Sequence, residues 1–291
     1  MEKALPLRTK KPDWLRKKLS FNETAEIKRS LRKKNLHTVC ESARCPNIGE
    51  CFSRKTATFM ILGDICNRTC GYCAVQRGIP ASPDPSEPDN IARMVKELGI
   101  THAVITSVTR DDLHDGGAEQ FAKTVRAVRR DNPSTMIELL IPDFKGDTDA
   151  LDAVLREKPE ILNHNIETVE RLYPLIRPQA DFTRSIGVLK RSSLRNVTVK
   201  SGIMIGFGEE EKELMTTFEN LKDAGVEILT IGQYLSPSKG HLPVAEYFPQ
   251  ERFDTLAESA RSIGIPTVFS APFVRSSYMA EDVAKLEKSG S

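Results

Sequence analysis

Residues 57–73 read Ala57-Thr-Phe-Met-Ile-Leu-Gly-Asp-Ile-Cys66-Asn-Arg-Thr-Cys70-Gly-Tyr-Cys73. The apolar run at 57–62 suits a buried strand, and it leads directly into three cysteines spaced C-x3-C-x2-C. Cysteine thiolates are the usual ligands of iron-sulfur clusters, and three of them from one loop can hold three irons of a [4Fe-4S] cube. The fourth iron then has no protein ligand from this loop. An open iron can bind a small molecule and pass it an electron, so the spacing points to chemistry. A structural zinc knuckle is the plainer alternative, but it prefers a closed set of four ligands.

Upstream lies Cys40-Glu-Ser-Ala-Arg-Cys45-Pro-Asn-Ile-Gly-Glu-Cys51, a second triplet spaced C-x4-C-x5-C. All six cysteines fall within residues 40–73. Three disulfides would be the ordinary use of six cysteines in a secreted chain, but no signal peptide is visible, which points to a reducing, cytoplasmic setting. Two triplets therefore suggest two clusters, each one cysteine short. A relay cluster is generally closed by four ligands, so an incomplete second cluster hints at a direct chemical role.

The rest of the composition is that of a soluble globular protein: 39% hydrophobic and 28% charged residues. No apolar run approaches the roughly 18 residues of a membrane helix, so membrane insertion is not expected. The net charge of +2 conceals an asymmetry, because residues 1–37 hold twelve Lys or Arg against four Asp or Glu. This basic arm, with Trp14 as its one aromatic anchor, could meet nucleic acid, an acidic protein or an import receptor, or simply be solvated.

A short helix is expected over 24–34, where Ile27 and Leu31 share a face. The proline-rich stretch 80–88 reads as a surface crossing. From there strands are expected at 102–107, 136–141, 161–166, 197–205 and 228–234, separated by helices at 91–98, 118–129, 148–156, 184–191, 210–224 and, after the last strand, 251–263. With 57–62 these make six strand-and-helix units, the pattern of right-handed crossovers and a parallel sheet. A partial barrel and an open doubly wound sheet both satisfy it.

Strand ends in such folds carry function. Ser107-Val-Thr-Arg-Asp-Asp-Leu-His-Asp-Gly-Gly117 follows the second strand; Asp115 and the glycines suit a helix cap and turn, while Arg110, Asp111 and Asp112 offer charges. Asn163-His-Asn-Ile-Glu167 ends the fourth, and alternation would put Asn163, Asn165 and Glu167 on one face with His164 turned away into the core. Glu167 could equally begin the next helix. Ser201-Gly-Ile-Met-Ile-Gly-Phe-Gly-Glu209 ends the fifth, lacking the Lys-Ser/Thr of a phosphate-binding loop, and Gln233-Tyr-Leu-Ser-Pro237 ends the sixth. Near the end of the chain comes Arg275-Ser276-Ser277-Tyr278, where a serine would ordinarily cap a following helix.

Cys66, Cys70 and Cys73, with Tyr72 before the last, resemble the C-x3-C-x-aromatic-C signature of the radical S-adenosylmethionine (radical SAM) enzymes. Gly202, Gly206 and Glu209 resemble that family's G-x-I-x-G-x-x-E pattern, with Met204 in the isoleucine place. The resemblance implies a partial (β/α)6 TIM-like barrel over 56–264, an N-terminal extension at 1–55 and a C-terminal one at 265–291. It also implies S-adenosylmethionine (SAM) bound near Tyr72, Asn163, Asn165, Glu167, Gly202, Gly206 and Tyr234.

The first triplet and the RSSY sequence resemble the sulfur-inserting branch of the family. That likeness implies a second, auxiliary [4Fe-4S] cluster on Cys40, Cys45, Cys51 and a serine, Ser277 rather than Ser276. The implied reaction inserts sulfur at C6 and C8 of an octanoyl chain on a carrier lysine, with the auxiliary cluster giving up its sulfide. The implied partners are octanoylated lipoyl carrier domains, namely 2-oxoacid dehydrogenase acyltransferase subunits and the glycine cleavage H protein, with a low-potential electron donor; nucleic acid and membrane are not expected. The basic arm would help to dock an acidic carrier domain. The competing readings are a methylthiotransferase acting on RNA, for which no RNA-binding module is evident, and a noncatalytic electron-transfer module.

Overall fold

The computed structural model describes residues 10–15, 24–42, 47 and 58–277. After a helix at Thr24–Lys33 comes a short strand, β1 (His37–Thr38), then β2 (Thr58–Ile61) and the small pair β3 (Ile65–Cys66) and β4 (Gln76–Arg77). Strands β5 (His102–Ser107), β6 (Met136–Leu140), β7 (Ile161–Asn163), β8 (Thr198–Ile205), β9 (Ile228–Gln233) and β10 (Thr267–Ser270) follow. The main sheet has the order β1-β2-β5-β6-β7-β8-β9-β10. Every pairing from β2 to β10 is parallel, and β1 runs antiparallel to β2. The sequence order along the sheet is the one that right-handed crossovers generate, and the sheet curls without closing, as in a partial TIM-like barrel.

The six expected units are present, and β1 and β10 extend the sheet at its two edges. The seventh parallel strand, β10, lies beyond residue 265, in the stretch expected only as an extension. It is four residues long and only one of them is buried, so its pattern is too weak for periodicity to find.

The parallel strands are buried on both faces, which is why β2 and β9 are buried at every position. The covering helices bury one stripe each: Ala118–Asp131 turns Phe121, Ala122, Val125 and Val128 inward and ends in Arg129 and Arg130, favourable at a helix C-terminus. Asp147 caps the helix Thr148–Leu155 by accepting from Asp149 N and Ala150 N, and Asp181 caps Phe182–Ser193 by accepting from Arg184 N. The helix expected at 91–98 starts earlier, at Glu87, because Pro88 falls in the first turn, where a missing N–H costs nothing. In the arm, Leu15 and not Trp14 is the anchor: Leu15 is fully buried in the turn Asp13–Leu15, while Trp14 is half exposed. One turn presents only one side to the body.

The concave face of the sheet is built in layers. Residues two apart on a strand share a face, so Glu138 lies below Leu140 and Lys200 below Gly202. Glu138 and Lys200 are fully buried and paired at 2.9 Å; Asn163 Nδ2 donates to Glu138 at 3.0 Å, and His102 Nε2 stands 3.2 Å from the same carboxylate. Burial alone would push the Glu138 carboxyl up, but Lys200 and His102 hold it at about 2. This ionic layer is the floor on which the site rests.

Candidate active site

Above the floor, at the C-terminal ends of the strands, opens a cavity of about 480 Å³. Its walls are the 66–75 loop, the ends of β5, β6, β8 and β9, the residues after β7, the segment Val274–Ser277, and Cys40, Asn47 and Lys11 from the N-terminal part.

The cysteine loop leaves β3, and β4 returns beside it, pairing Ile65 with Gln76 and Cys66 with Arg77. Between the cysteines, buried Arg68 donates Nε and Nη2 to Asp111 at 2.7 and 2.8 Å, and Nη2 also reaches Asp143 at 2.6 Å. Burial raises the Asp143 carboxyl, yet Arg68 overcomes it and holds the group at about 2. Asn67 Nδ2 donates to Asp112 at 2.7 Å, and Arg110 pairs with the same carboxylate at 2.8 Å. Arg110, Asp111 and Asp112 thus brace the loop and do not line the cavity; the charges expected to meet a ligand are spent on the loop and on one another. Asp115 does cap the next helix, accepting from Glu119 N at 2.8 Å. Gly71 N donates to Ile176 O at 2.8 Å, and Arg77 Nη2 to Cys70 O at 2.9 Å.

Cys66, Cys70 and Cys73 all line the cavity, and Tyr72 lies beside them. Burial pushes the Cys73 thiol up to about 12, with Cys70 and Cys66 adding to the rise. Burial also raises Cys70, against the pull of Arg177. Among the described residues no three His, Cys, Asp or Glu side chains converge on a single-ion site.

Beyond β7 the expected alternation breaks. The strand ends at Asn163, whose side chain is committed to the floor and not to the cavity. Asn165, Glu167 and also His164, expected to turn away, line the wall. His164 Nδ1 meets the carbonyl of Ile141 at 2.9 Å, and burial with the nearby Arg177 lowers the imidazole to about 4, so it is neutral. Glu167 does not begin a helix: it bridges to Ile203 with φ +67°, a left-handed conformation that costs energy outside glycine. Burial raises its carboxyl, opposed by Arg177, Asn165 and Tyr72.

Gly202 faces the cavity, where a Cβ would come within 2.8 Å of Asn165 Oδ1. Gly206 does not line the cavity; it sits in a turn at φ +111° whose N–H, with that of Phe207, donates to Glu209. Tyr234, just after the neighbouring strand β9, also lines the cavity, with its ring stacked on Phe207 at 4.0 Å between centres. Ser276 and Ser277 line the cavity with Cys40, so one described cysteine of the first triplet and the RSSY serines face the second triplet's chamber. Asn47 Nδ2 ties the N-terminal part to this segment by donating to Phe273 O at 2.7 Å. Cys45, Cys51 and Tyr278 lie outside the described residues.

Arg68 and Arg177 had no signal in the sequence. Arg177 donates to the carbonyl of Asn165 at 3.1 Å and to the Tyr173 hydroxyl at 3.0 Å, contacts that only folding creates.

A strand-end cavity fed by a three-cysteine loop after the first barrel strand defines a radical SAM enzyme, and the model of the radical SAM superfamily matches residues 60–221. Methylornithine synthase shares the fold, with a TM-score of 0.54 at 13% identity over 79% of this chain and 80% of that one. The lipoyl synthase of Caldicellulosiruptor saccharolyticus is 50% identical over 283 residues, covering 96% of this chain and 99% of the relative. That of Chlorobium phaeobacteroides is 50% identical over 278 residues, covering 94% and 97%. The chain belongs to the lipoyl synthase family.

Membership of the radical SAM superfamily implies SAM and a [4Fe-4S] cluster. The residues fit. Cys66, Cys70 and Cys73 line one cavity wall, and burial with the neighbouring thiols raises Cys70 and Cys73; a bound cation would displace the thiol protons and turn the three side chains into ligands. Among the described residues no helix is long and apolar enough to cross a membrane.

Proposed function

We propose that this chain inserts two sulfur atoms, at C6 and C8, into an octanoyl group carried on a protein lysine, giving the lipoyl cofactor. Cys66, Cys70 and Cys73 would hold the SAM-binding cluster, and Cys40, Cys45, Cys51 and Ser277 an auxiliary [4Fe-4S] cluster. When bound, these groups supply a 5′-deoxyadenosyl radical, able to take hydrogen from an unactivated carbon, and the sulfide that replaces it. The observation that carries the reading is the placement of Cys40 and Ser277 on the same cavity as Cys66, Cys70 and Cys73.

The chain's own task is to bind, orient and exclude water. Asn165, Glu167 and Gly202 offer a polar, close-approach wall for the ribose and aminoacyl end of SAM, and Tyr234 lines the cavity at the end of the next strand. No side chain needs to act as a general acid or base; the neutral His164 and the buried Glu167 suit a site that keeps protons and water out of a radical step.

The substrate would arrive on lipoyl carrier domains, with electrons from a low-potential donor, in the reducing cytoplasm where the thiols stay free. Lys10 is exposed and Lys11 reaches the cavity, which supports the basic arm as a guide for an acidic carrier. Lys17 and Lys18 lie outside the described residues. Neutralising all four is expected to weaken carrier binding and flatten its salt dependence; unchanged affinity and slope would remove the arm from the mechanism.

Anaerobic reconstitution, iron and sulfide counting, and incubation with SAM, a reductant and an octanoylated peptide test the whole reading. Two cubes and a lipoyl product are expected. Zinc with no SAM cleavage would falsify it.

A further inference from the structure

The segment after β9 holds the cysteine loop from outside. His241 Nε2 lies 3.1 Å from the carbonyl oxygen of Cys73, and Leu242 N donates to the carbonyl of Gly71 at 3.1 Å. Two consecutive residues therefore grip two carbonyls of the loop that carries the thiols. The Leu242 side chain covers Gly71 so closely that a Cβ there would come within 2.6 Å of Leu242 Cδ1. Tyr234, the cavity wall, donates its hydroxyl to Leu242 O at 2.8 Å.

The hydrogen-bond roles around His241 can be assigned. A carbonyl only accepts, so Nε2 carries the hydrogen directed at Cys73. In the neutral ring Nδ1 is then an acceptor, and Ser238 Oγ stands 2.8 Å from it. Ser238 Oγ also accepts from Gly240 N at 3.2 Å, which leaves its one hydrogen for His241. The chain runs Ser238 O–H to His241 Nδ1, and His241 Nε2–H to Cys73 O.

We propose that His241 is a positioning residue for the SAM-binding cluster. Through it, Ser238 fixes the peptide that follows the third cysteine and sets a donor dipole beside the cluster. Outer hydrogen bonds orient metal ligands and tune reduction potential, and a donor here favours the more negative, reduced state. The inference rests on Cys66, Cys70 and Cys73 holding that cluster.

The test uses the full chain, reconstituted anaerobically, with Cys40, Cys45 and Cys51 replaced by alanine so that one cluster is observed. H241L, H241Q and S238A are compared by redox titration of the reduced cluster's paramagnetic signal and by the rate of iron loss to a chelator. Losing one hydrogen bond, about 1 kcal/mol, corresponds to roughly fivefold faster iron loss in H241L, together with a lower reduction potential. Glutamine can place an amide N–H near the same carbonyl, so H241Q is expected to recover both. S238A keeps the imidazole but frees its tautomer and should fall between. If H241L fails to fold, H241Q must still match the parent while S238A loses iron faster. The inference is overturned if H241L matches the parent in potential and iron loss, or if H241Q and S238A show the reverse order. A parent that takes up no four-iron cluster would instead overturn the functional reading.

Discussion

Asn165 and Ser276 meet across the cavity: Asn165 Nδ2 donates to Ser276 Oγ at 2.6 Å, and Ser276 Oγ also lies 3.0 Å from Asn165 Oδ1. The first serine of the RSSY sequence is thus committed to the wall after β7. Its neighbour Ser277 lines the cavity beside it.

This division of labour separates two variants. S277A is expected to lose half of the bound iron while SAM cleavage by the remaining cluster persists. S276A should keep its iron and weaken SAM binding roughly fivefold, the equivalent of one hydrogen bond. Iron analysis and equilibrium dialysis distinguish them. Iron loss in S276A and not in S277A would exchange the two roles.

Asp143 holds the cysteine loop through Arg68, so D143N leaves a buried guanidinium half-paired. Removing one partner of a buried pair costs about 3–5 kcal/mol. The Asp143 carboxyl is held at about 2 in the folded chain, below the unfolded value near 3.9. A depressed carboxyl stabilises fully above the unfolded value and loses that contribution as pH falls through the folded one. Urea unfolding of the cluster-free chain should show D143N weaker at pH 7, with the gap narrowing from about pH 4 towards pH 2. A gap that is constant with pH would mean that the carboxylate charge is not what matters.

The floor pair can be tested by a double-mutant cycle. K200M should destabilise by about 3–5 kcal/mol because it strands Glu138 without its nearest cation. The double variant E138L/K200M should recover most of that loss. Additive losses would show that Glu138 and Lys200 do not act as a unit.

Gly232 on β9 lies against the last described segment, and a Cβ there would fall 2.2 Å from the carbonyl oxygen of Val274. The obstacle is backbone and cannot swing aside. G232A is therefore expected to displace Ser277 and reduce iron content as S277A does, although residue 232 is no ligand. Full iron content in folded G232A would separate the 274–277 wall from cluster binding.

Much of this could be read in the sequence because it is local. The parallel strands announce themselves as apolar runs, and the cysteine triplet needs only its own spacing. What could not be read depends on layers and on distant partners. Alternation assumes a strand through residue 167, but β7 ends at Asn163, and it cannot say that Asn163 belongs to the floor, because that depends on distant partners: Lys200 beside it in the register and Glu138, which accepts from its amide. His164 enters the wall because the strand stops before it. Arg68 sits inside the most legible stretch of the chain, yet its carboxylates come from loops far along the sequence.

Cys40 and Ser277 line one chamber although almost the whole described chain lies between them. During synthesis the residues of the Cys66–Cys73 loop emerge first, and the serine wall emerges only after β10 has been made. The compartment in which a radical would meet its sulfur donor thus comes into being only once residues 274–277 have been made. A chain that stopped before residue 274 would hold the three-cysteine loop but lack the wall formed by residues 274–277.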